Sequence, residues 1–163
     1  MKEGNNFAFI DNQNLYQGVK ELGWRLDWKK FRRYLLEKYQ VSRVYLFLGY
    51  VKENKKMYEY LERAGFILRF RKISKGNDKD IKGNVDVLLT LQTILEINDC
   101  NQVVLITSDG DFYPLVDYLI EKDKFLTILS PHSNKCSHLL KESAHPRIGY
   151  LNNLRNKIED IKK

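Results

Sequence analysis

The sequence predicts an α/β domain built on a parallel β-sheet. Short apolar runs of strand length alternate with longer segments of helical period, and this alternation is typical of β–α–β units. The 163 residues are enough for one hydrophobic core, and we expect a single domain over 1–163. Hydrophobic residues make up 43% and charged residues 30% of the chain, as in ordinary globular proteins.

The strands are predicted where apolar and β-branched residues cluster. The five main strand candidates are residues 7–10, 44–48, 66–70, 103–107 and 125–129. Helical segments are predicted at residues 27–39, 54–64, 85–97, 111–121 and 135–141. A short strand near Ile148 and a helix from Leu151 complete the pattern.

Two segments depart from simple alternation. The segment 85–97 is almost entirely apolar, and its length favours a buried helix over a strand. The segment Lys72-Ile-Ser-Lys-Gly-Asn-Asp-Lys-Asp-Ile-Lys-Gly83 is polar and is predicted to be a long loop. Long loops in compact domains are commonly functional or disordered.

Composition excludes several classes of protein. No apolar run is long enough to span a bilayer, and the polar N-terminus lacks a signal-peptide core, so we expect a cytoplasmic location. Cys100 and Cys136 do not form a C-x-x-C pair, which argues against a zinc-thiolate site or a disulfide framework. The formal charge of +7 is compatible with a polyanionic partner.

Acidic residues follow two of the predicted strands. Asp11 ends the first strand, and Asp109 and Asp111 follow the fourth. In open parallel sheets, ligands bind beyond the carboxyl ends of the strands where the strand order reverses, so an order of 3-2-1-4-5 would bring these carboxylates together. Asp86, in the first turn of the apolar helix, is a charge that needs a partner.

Each aspartate also has a structural interpretation. An Asp after a strand commonly caps a helix or forms a turn, and Asp11 and Asp111 both suit such a role. Four together favour a divalent metal site, and oxygen ligands of this kind suit Mg²⁺ or Mn²⁺.

Three blocks of this sequence resemble the signature blocks of NYN domains. They are Phe9-Ile-Asp-Asn-Gln-Asn-Leu15, Lys82-Gly-Asn-Val-Asp-Val87 and Thr107-Ser-Asp-Gly-Asp-Phe-Tyr-Pro-Leu115. NYN domains are part of the PIN-like nuclease superfamily, and this chain resembles its bacterial LabA-like branch. The resemblance implies a three-layer α/β fold and RNA hydrolysis at a divalent-metal site.

The resemblance also implies roles for individual residues. The acidic ligands fall on Asp11, Asp86, Asp109 and Asp111, and Asn14 would orient a ligand or a phosphate. Many relatives carry a further acidic residue where this chain has Gln92, which argues against a second fully coordinated metal.

Basic and aromatic residues supply candidates for substrate contact. The predicted nucleic-acid-binding residues are Arg69, Arg71, Lys72, Lys75, Lys79 and Lys82. The candidates for base stacking are Tyr50, Tyr58, Phe112 and Tyr113. Scattered lysines are also the ordinary composition of a solvated face.

Three alternatives to a metal-dependent nuclease differ in how well the sequence fits them. A non-catalytic RNA-binding or regulatory module with the same fold stays open. An aspartyl-phosphate phosphatase is disfavoured because Gln13 stands where its second acid belongs, and a Toprim-like site would need a Glu after the first strand. The sequence predicts RNA as the partner and no membrane, and it leaves the oligomeric state open, with a homodimer as one option.

Overall fold

The computed structural model describes residues 4–72 and 81–161, and for residues 81–84 it describes the backbone alone. A six-stranded parallel sheet forms the centre of the molecule. Its strands are β1 (Asn6–Asp11), β2 (Val41–Gly49), β3 (Phe66–Arg71), β4 (Val103–Ile106), β5 (Phe125–Ser130) and β6 (Ile148–Tyr150).

The strand order is β3-β2-β1-β4-β5-β6. The predicted order 3-2-1-4-5 is therefore confirmed, and the short sixth strand extends it beside β5. Because β1 has β2 on one side and β4 on the other, the direction of chain winding reverses at β1. The carboxyl ends of β1 and β4 consequently lie side by side, as expected of a switch point.

Seven α-helices are found in the part of the chain that is described. They are α1 (Asn12–Leu22), α2 (Trp28–Tyr39), α3 (Lys55–Arg63), α4 (Ile81–Glu96), α5 (Tyr113–Glu121), α6 (His138–Ala144) and α7 (Arg155–Ile158). Helix α1 was not among the predicted helices. The spacing of Leu15, Val19 and Leu22 at i, i+4 and i+7 was the available signal, and the buried Leu15 and Val19 follow from it.

Two hydrophobic cores lie on opposite faces of the sheet and give the predicted three layers. On one face, α1, α2, α3 and α7 cover Ala8, Ile10 and Leu46. On the other, α4, α5 and α6 cover Phe9 and Phe47. Alternate residues of β1 and β2 therefore enter different cores, which is why these central strands are apolar along nearly their whole length.

The segment around α4 differs from the prediction in two respects. The helix begins at Ile81, so the last three residues of the predicted loop are helical, and residues 73–80 lie outside the described residues. The prediction that this helix is buried is correct for one face, which carries Val85 and Leu89. The opposite face is exposed because no further layer of described residues covers it.

Smaller differences occur at the ends of other elements. Residues 110–112 form a 3-10 turn before α5, and residues 133–135 form another before α6 begins at His138. The predicted terminal helix starts as a 3-10 turn, Leu151–Leu154, before α7. No helix within residues 4–72 and 81–161 is both long and apolar enough to cross a membrane.

Candidate metal centre

Asp11 is held at the junction of β1 and α1. It is the N-cap of α1, and its carboxylate accepts a hydrogen bond from the backbone N–H of Asn14 at 3.3 Å. The hydroxyl of Thr107 also donates to this carboxylate. Only 6% of Asp11 is exposed, so the carboxylate is fixed in a largely dehydrated position at the carboxyl end of the sheet.

The loop after β4 presents Asp109 and Asp111 differently. Asp109 is the N-cap of the 3-10 turn, and its carboxylate accepts from the backbone N–H of Asp111 at 2.9 Å. Asp111 is exposed, and α5 has no side-chain cap, so the predicted capping role of Asp111 is wrong. The cap is Asp109, two residues before the predicted one, because the 3-10 turn begins at Gly110.

Three carboxylates converge at this edge of the sheet. Asp11, Asp86 and Asp109 each offer one carboxylate oxygen, and these atoms lie within 4.8 Å of one another. They come from β1, from α4 and from the loop after β4. A carboxylate that caps a helix can also bind a cation, since it has two oxygens and several lone pairs.

The pKa values of two of the clustered acids are raised. Burial raises the pKa of Asp11 from 3.8 to about 6, and the nearby Asp109 adds to the rise, whereas the hydrogen bonds from Asn14 and Thr107 oppose it. The pKa of Asp86 rises to about 7, again mainly through burial, with further contributions from Asp109, Asp11 and Asp111. Protons or a cation must offset this concentration of negative charge.

Asn14 ties the ends of two neighbouring strands together. Its side-chain oxygen accepts from the backbone N–H of Ser108 at 2.7 Å, which connects α1 to the loop that carries Asp109. The amide oxygen therefore positions the acidic loop, and the predicted contact of Asn14 with a ligand or phosphate stays a prediction.

Thr107 is a site residue that was not predicted from the sequence. Besides donating to Asp11, its hydroxyl accepts from the backbone N–H of Asp109 at 3.1 Å. Thr107 is 1% exposed. A hydroxyl directly before the Ser-Asp-Gly-Asp segment was the available signal, because Thr can bond to backbone groups two residues ahead.

The predicted basic contacts fall into three groups. Arg69 and Lys72 are exposed. Arg71 is only 6% exposed, and a guanidinium buried in this way does not suit the predicted contact with a phosphate. Lys75 and Lys79 lie outside the described residues, and Lys82 lies in α4 at a position whose side chain is not described.

The predicted stacking residues differ in whether their rings are exposed or buried. Tyr50 and Tyr113 are exposed. Tyr58 is buried, and its hydroxyl accepts from the backbone N–H of Val51 at 2.9 Å. Phe112 belongs to the core under α5. Burial of their rings excludes Tyr58 and Phe112 as platforms for a nucleobase in this conformation.

Gln92 does not extend the acidic cluster. Its side-chain amide donates to the carboxylate of Glu96, one turn further along α4, at 2.8 Å. Asp86 and Gln92 are six residues apart, which corresponds to about 9 Å along a helix. Among the residues that the structure describes, one group of three carboxylates comes together, and the Gln92 side chain is bonded to Glu96 instead.

Comparisons with known proteins identify the family and the fold. The chain is 24% identical over 161 residues to the Low amplitude and bright protein LabA of Synechococcus elongatus, covering 93% of this chain and 86% of LabA. A protein of unknown function from Vibrio parahaemolyticus has a similar crystal structure, with a TM-score of 0.75 and 21% identity over 93% of this chain and 96% of that one. The model of the NYN domain matches residues 7–150. The chain therefore belongs to the NYN domain family, within the PIN-like nuclease superfamily.

Proposed function

We propose that this protein is a divalent-metal-dependent nuclease that hydrolyses phosphodiester bonds in RNA. The observation that carries the proposal is the convergence of Asp11, Asp86 and Asp109 from three separate elements to within 4.8 Å. Membership of the NYN domain family supports it.

The donor set suits a small, hard cation such as Mg²⁺ or Mn²⁺. All three groups are carboxylates, the ligand type that these ions favour. Opposite ligands of Mg²⁺ stand about 4 Å apart, since each bond is 2.0–2.1 Å long, so oxygens within 4.8 Å need little movement to bind it. At that separation and an effective dielectric constant of 20, two carboxylates repel by about 3.5 kcal/mol, which a dication would offset.

Each acidic residue has a separate role in this proposal. Asp11 and Asp109 are held by hydrogen bonds and would bind the cation directly, as would Asp86 from α4. The exposed Asp111 would act from the rim through water. When bound, the cation would supply Lewis-acid activation of the phosphodiester and of the attacking water.

Arg69 offers a phosphate contact beside the cluster. In the sheet, Asp11 pairs with Phe47, and Phe47 pairs with Arg69, so the three residues lie in line across β1, β2 and β3. Two strand spacings correspond to about 10 Å, and residues in register on parallel strands project to the same face. Because α4 covers Phe47, RNA cannot lie across the sheet itself, and we propose that it passes along the edge strand β3, where the exposed Arg69 holds a phosphate.

Further basic and aromatic residues complete the proposed path. Lys72 is exposed at the end of β3, and Lys75, Lys79 and Lys82 follow in the sequence. The exposed rings of Tyr50 and Tyr113 are candidates for stacking on unpaired bases. Arg71 has no role in this path because it is buried.

Cleavage of a labelled single-stranded RNA tests the proposal. We expect cleavage with Mn²⁺ or Mg²⁺, loss of cleavage in EDTA, and loss in Asp109→Asn with the fold retained. Asp117→Asn is the matched control, since Asp117 is an exposed acid of α5. Cleavage that survives both EDTA and Asp109→Asn would refute the proposed site. Binding of RNA without cleavage under any metal would favour the non-catalytic module.

Binding measurements test the proposed path. Arg69→Ala should weaken RNA binding and flatten the log–log salt dependence by about 0.7, the value for one phosphate contact on a single strand. Arg63→Ala is the matched control, because Arg63 ends α3 on the other face of the sheet. An unchanged salt dependence in Arg69→Ala would remove Arg69 from the path.

A further inference from the structure

The outward face of α4 is apolar and exposed. Val87, Leu91, Ile94 and Leu95 are 69%, 53%, 40% and 66% exposed. Residues 87–95 contain no charged side chain, although charged residues make up 30% of the whole chain. A surface helix normally carries its charges on the face that points away from the core.

The exposed residues form one continuous stripe. Val87, Leu91 and Ile94 are spaced by four and then three residues, the spacing of helices that pack side by side, and Leu95 widens the stripe. At 3.6 residues per turn, the stripe lies opposite Val85 and Leu89, which are buried against the sheet. A helix that is apolar on both sides is typical of a helix covered on both sides.

Nothing within residues 4–72 and 81–161 covers the stripe. Residues 1–3, 73–80 and 162–163 are the parts outside the described ranges, and they contain just two apolar side chains, Met1 and Ile73. Four side chains at these exposures present on the order of 400 Å² of apolar surface, which is in the range of the largest apolar patch on a typical monomer, a patch that is often functional. That area suits the apolar centre of a standard interface, which buries about 800 Å² on each partner.

We propose that a second copy of this chain covers the stripe, with α4 packed against α4 across a two-fold axis near Leu91. An isologous interface requires a surface that complements itself, and an uncharged row of Val, Leu and Ile meets that condition without burying a charge. A nucleic acid would require basic residues here, and residues 87–95 have none. The interface is independent of the proposed nuclease activity.

The proposed dimer leaves the acidic cluster accessible. Successive residues of a helix are rotated by 100°, so Asp86 lies on the flank of α4 and not in the stripe. Each copy has a net charge of +7, so the copies repel at long range. Salt screens this repulsion, and dimerisation through an apolar stripe should therefore tighten as ionic strength increases.

Sedimentation velocity over a range of concentrations tests the proposal. We expect the wild type to sediment at twice the chain mass of 19.4 kDa and Leu91→Glu at the monomer mass, with dimerisation weakened at least about 100-fold. Leu36→Glu is the matched control, because Leu36 on α2 is 51% exposed and lies outside the stripe. It should remain dimeric. A monomeric wild type, or a dimer unaffected by Leu91→Glu, would overturn the proposal.

Chemical crosslinking covers the case in which Leu91→Glu does not fold. Leu91→Cys should give a covalent dimer with a short bismaleimide, and Leu36→Cys should not. The native Cys100 and Cys136 are buried and will contribute little background. Equal crosslinking of the two variants, or none in Leu91→Cys, would place any dimer interface elsewhere. If Asp109→Asn loses RNA cleavage but still forms the dimer, then the dimer does not depend on the nuclease site, and each proposal can fail without the other.

Discussion

Asp86→Asn should stabilise the metal-free protein. Asp86 is half-buried and lies near the carboxylates of Asp11, Asp109 and Asp111, and its pKa rises from 3.8 to about 7. Ionisation of Asp86 therefore destabilises the folded state relative to the unfolded chain. Asn has nearly the same shape and removes the charge, so it should recover that free energy.

The size of the effect follows from the pKa. A rise from 3.8 to about 7 corresponds to about 4 kcal/mol when Asp86 is fully ionised. We halve this value because solvent screens a partly exposed carboxylate, which leaves about 2 kcal/mol at pH 8. The folded state binds this proton more tightly than the unfolded chain, so the cost is absent below about pH 4 and increases up to about pH 7.

Thermal unfolding in EDTA measures the effect. For a chain of this length, about 2 kcal/mol corresponds to an increase in Tm of about 4–8 °C at pH 8. At pH 5 the gain should fall below about 1 kcal/mol, since most of the cost has not yet developed. Asp117→Asn should leave Tm nearly unchanged at both pH values. A lower Tm for Asp86→Asn at pH 8, or equal gains at pH 5 and pH 8, would refute the reasoning.

Three further predictions concern the same edge of the sheet. Mn²⁺ affinity, measured by calorimetry, should fall as pH decreases below 7, because Asp86 with a pKa of about 7 and Asp11 with a pKa of about 6 must first lose protons. Gly110→Ala should cost about 1–3 kcal/mol in unfolding experiments, because its Cβ would overlap the side chain of Ser137, and Ser137→Gly should restore much of the loss. Asn14→Leu should cost about 1–3 kcal/mol by removing the acceptor of a buried loop N–H, and an unchanged Tm would contradict that role.

The sequence by itself determined the sheet and the acids at its edge. The apolar runs at β1 and β4 identify central parallel strands, because both faces of such strands are buried and leave no polar alternation. Asp11 ends the first of these runs and Asp109 comes three residues after the second, so their position at the carboxyl edge follows from the order of the strands. Helix α1 could also have been predicted from the spacing of its apolar residues, but the polar residues of its first turn are typical of a loop.

Other features depended on the tertiary structure. The apolar composition of α4 predicts burial equally for both of its faces, and only the packing shows that one face covers the sheet while Leu91 remains exposed. Phe112 and Tyr113 are adjacent aromatic residues in the sequence, yet one enters the core and the other faces solvent. Local sequence specifies the period of an element, whereas burial depends on which distant elements pack against it, and that is decided by the whole fold.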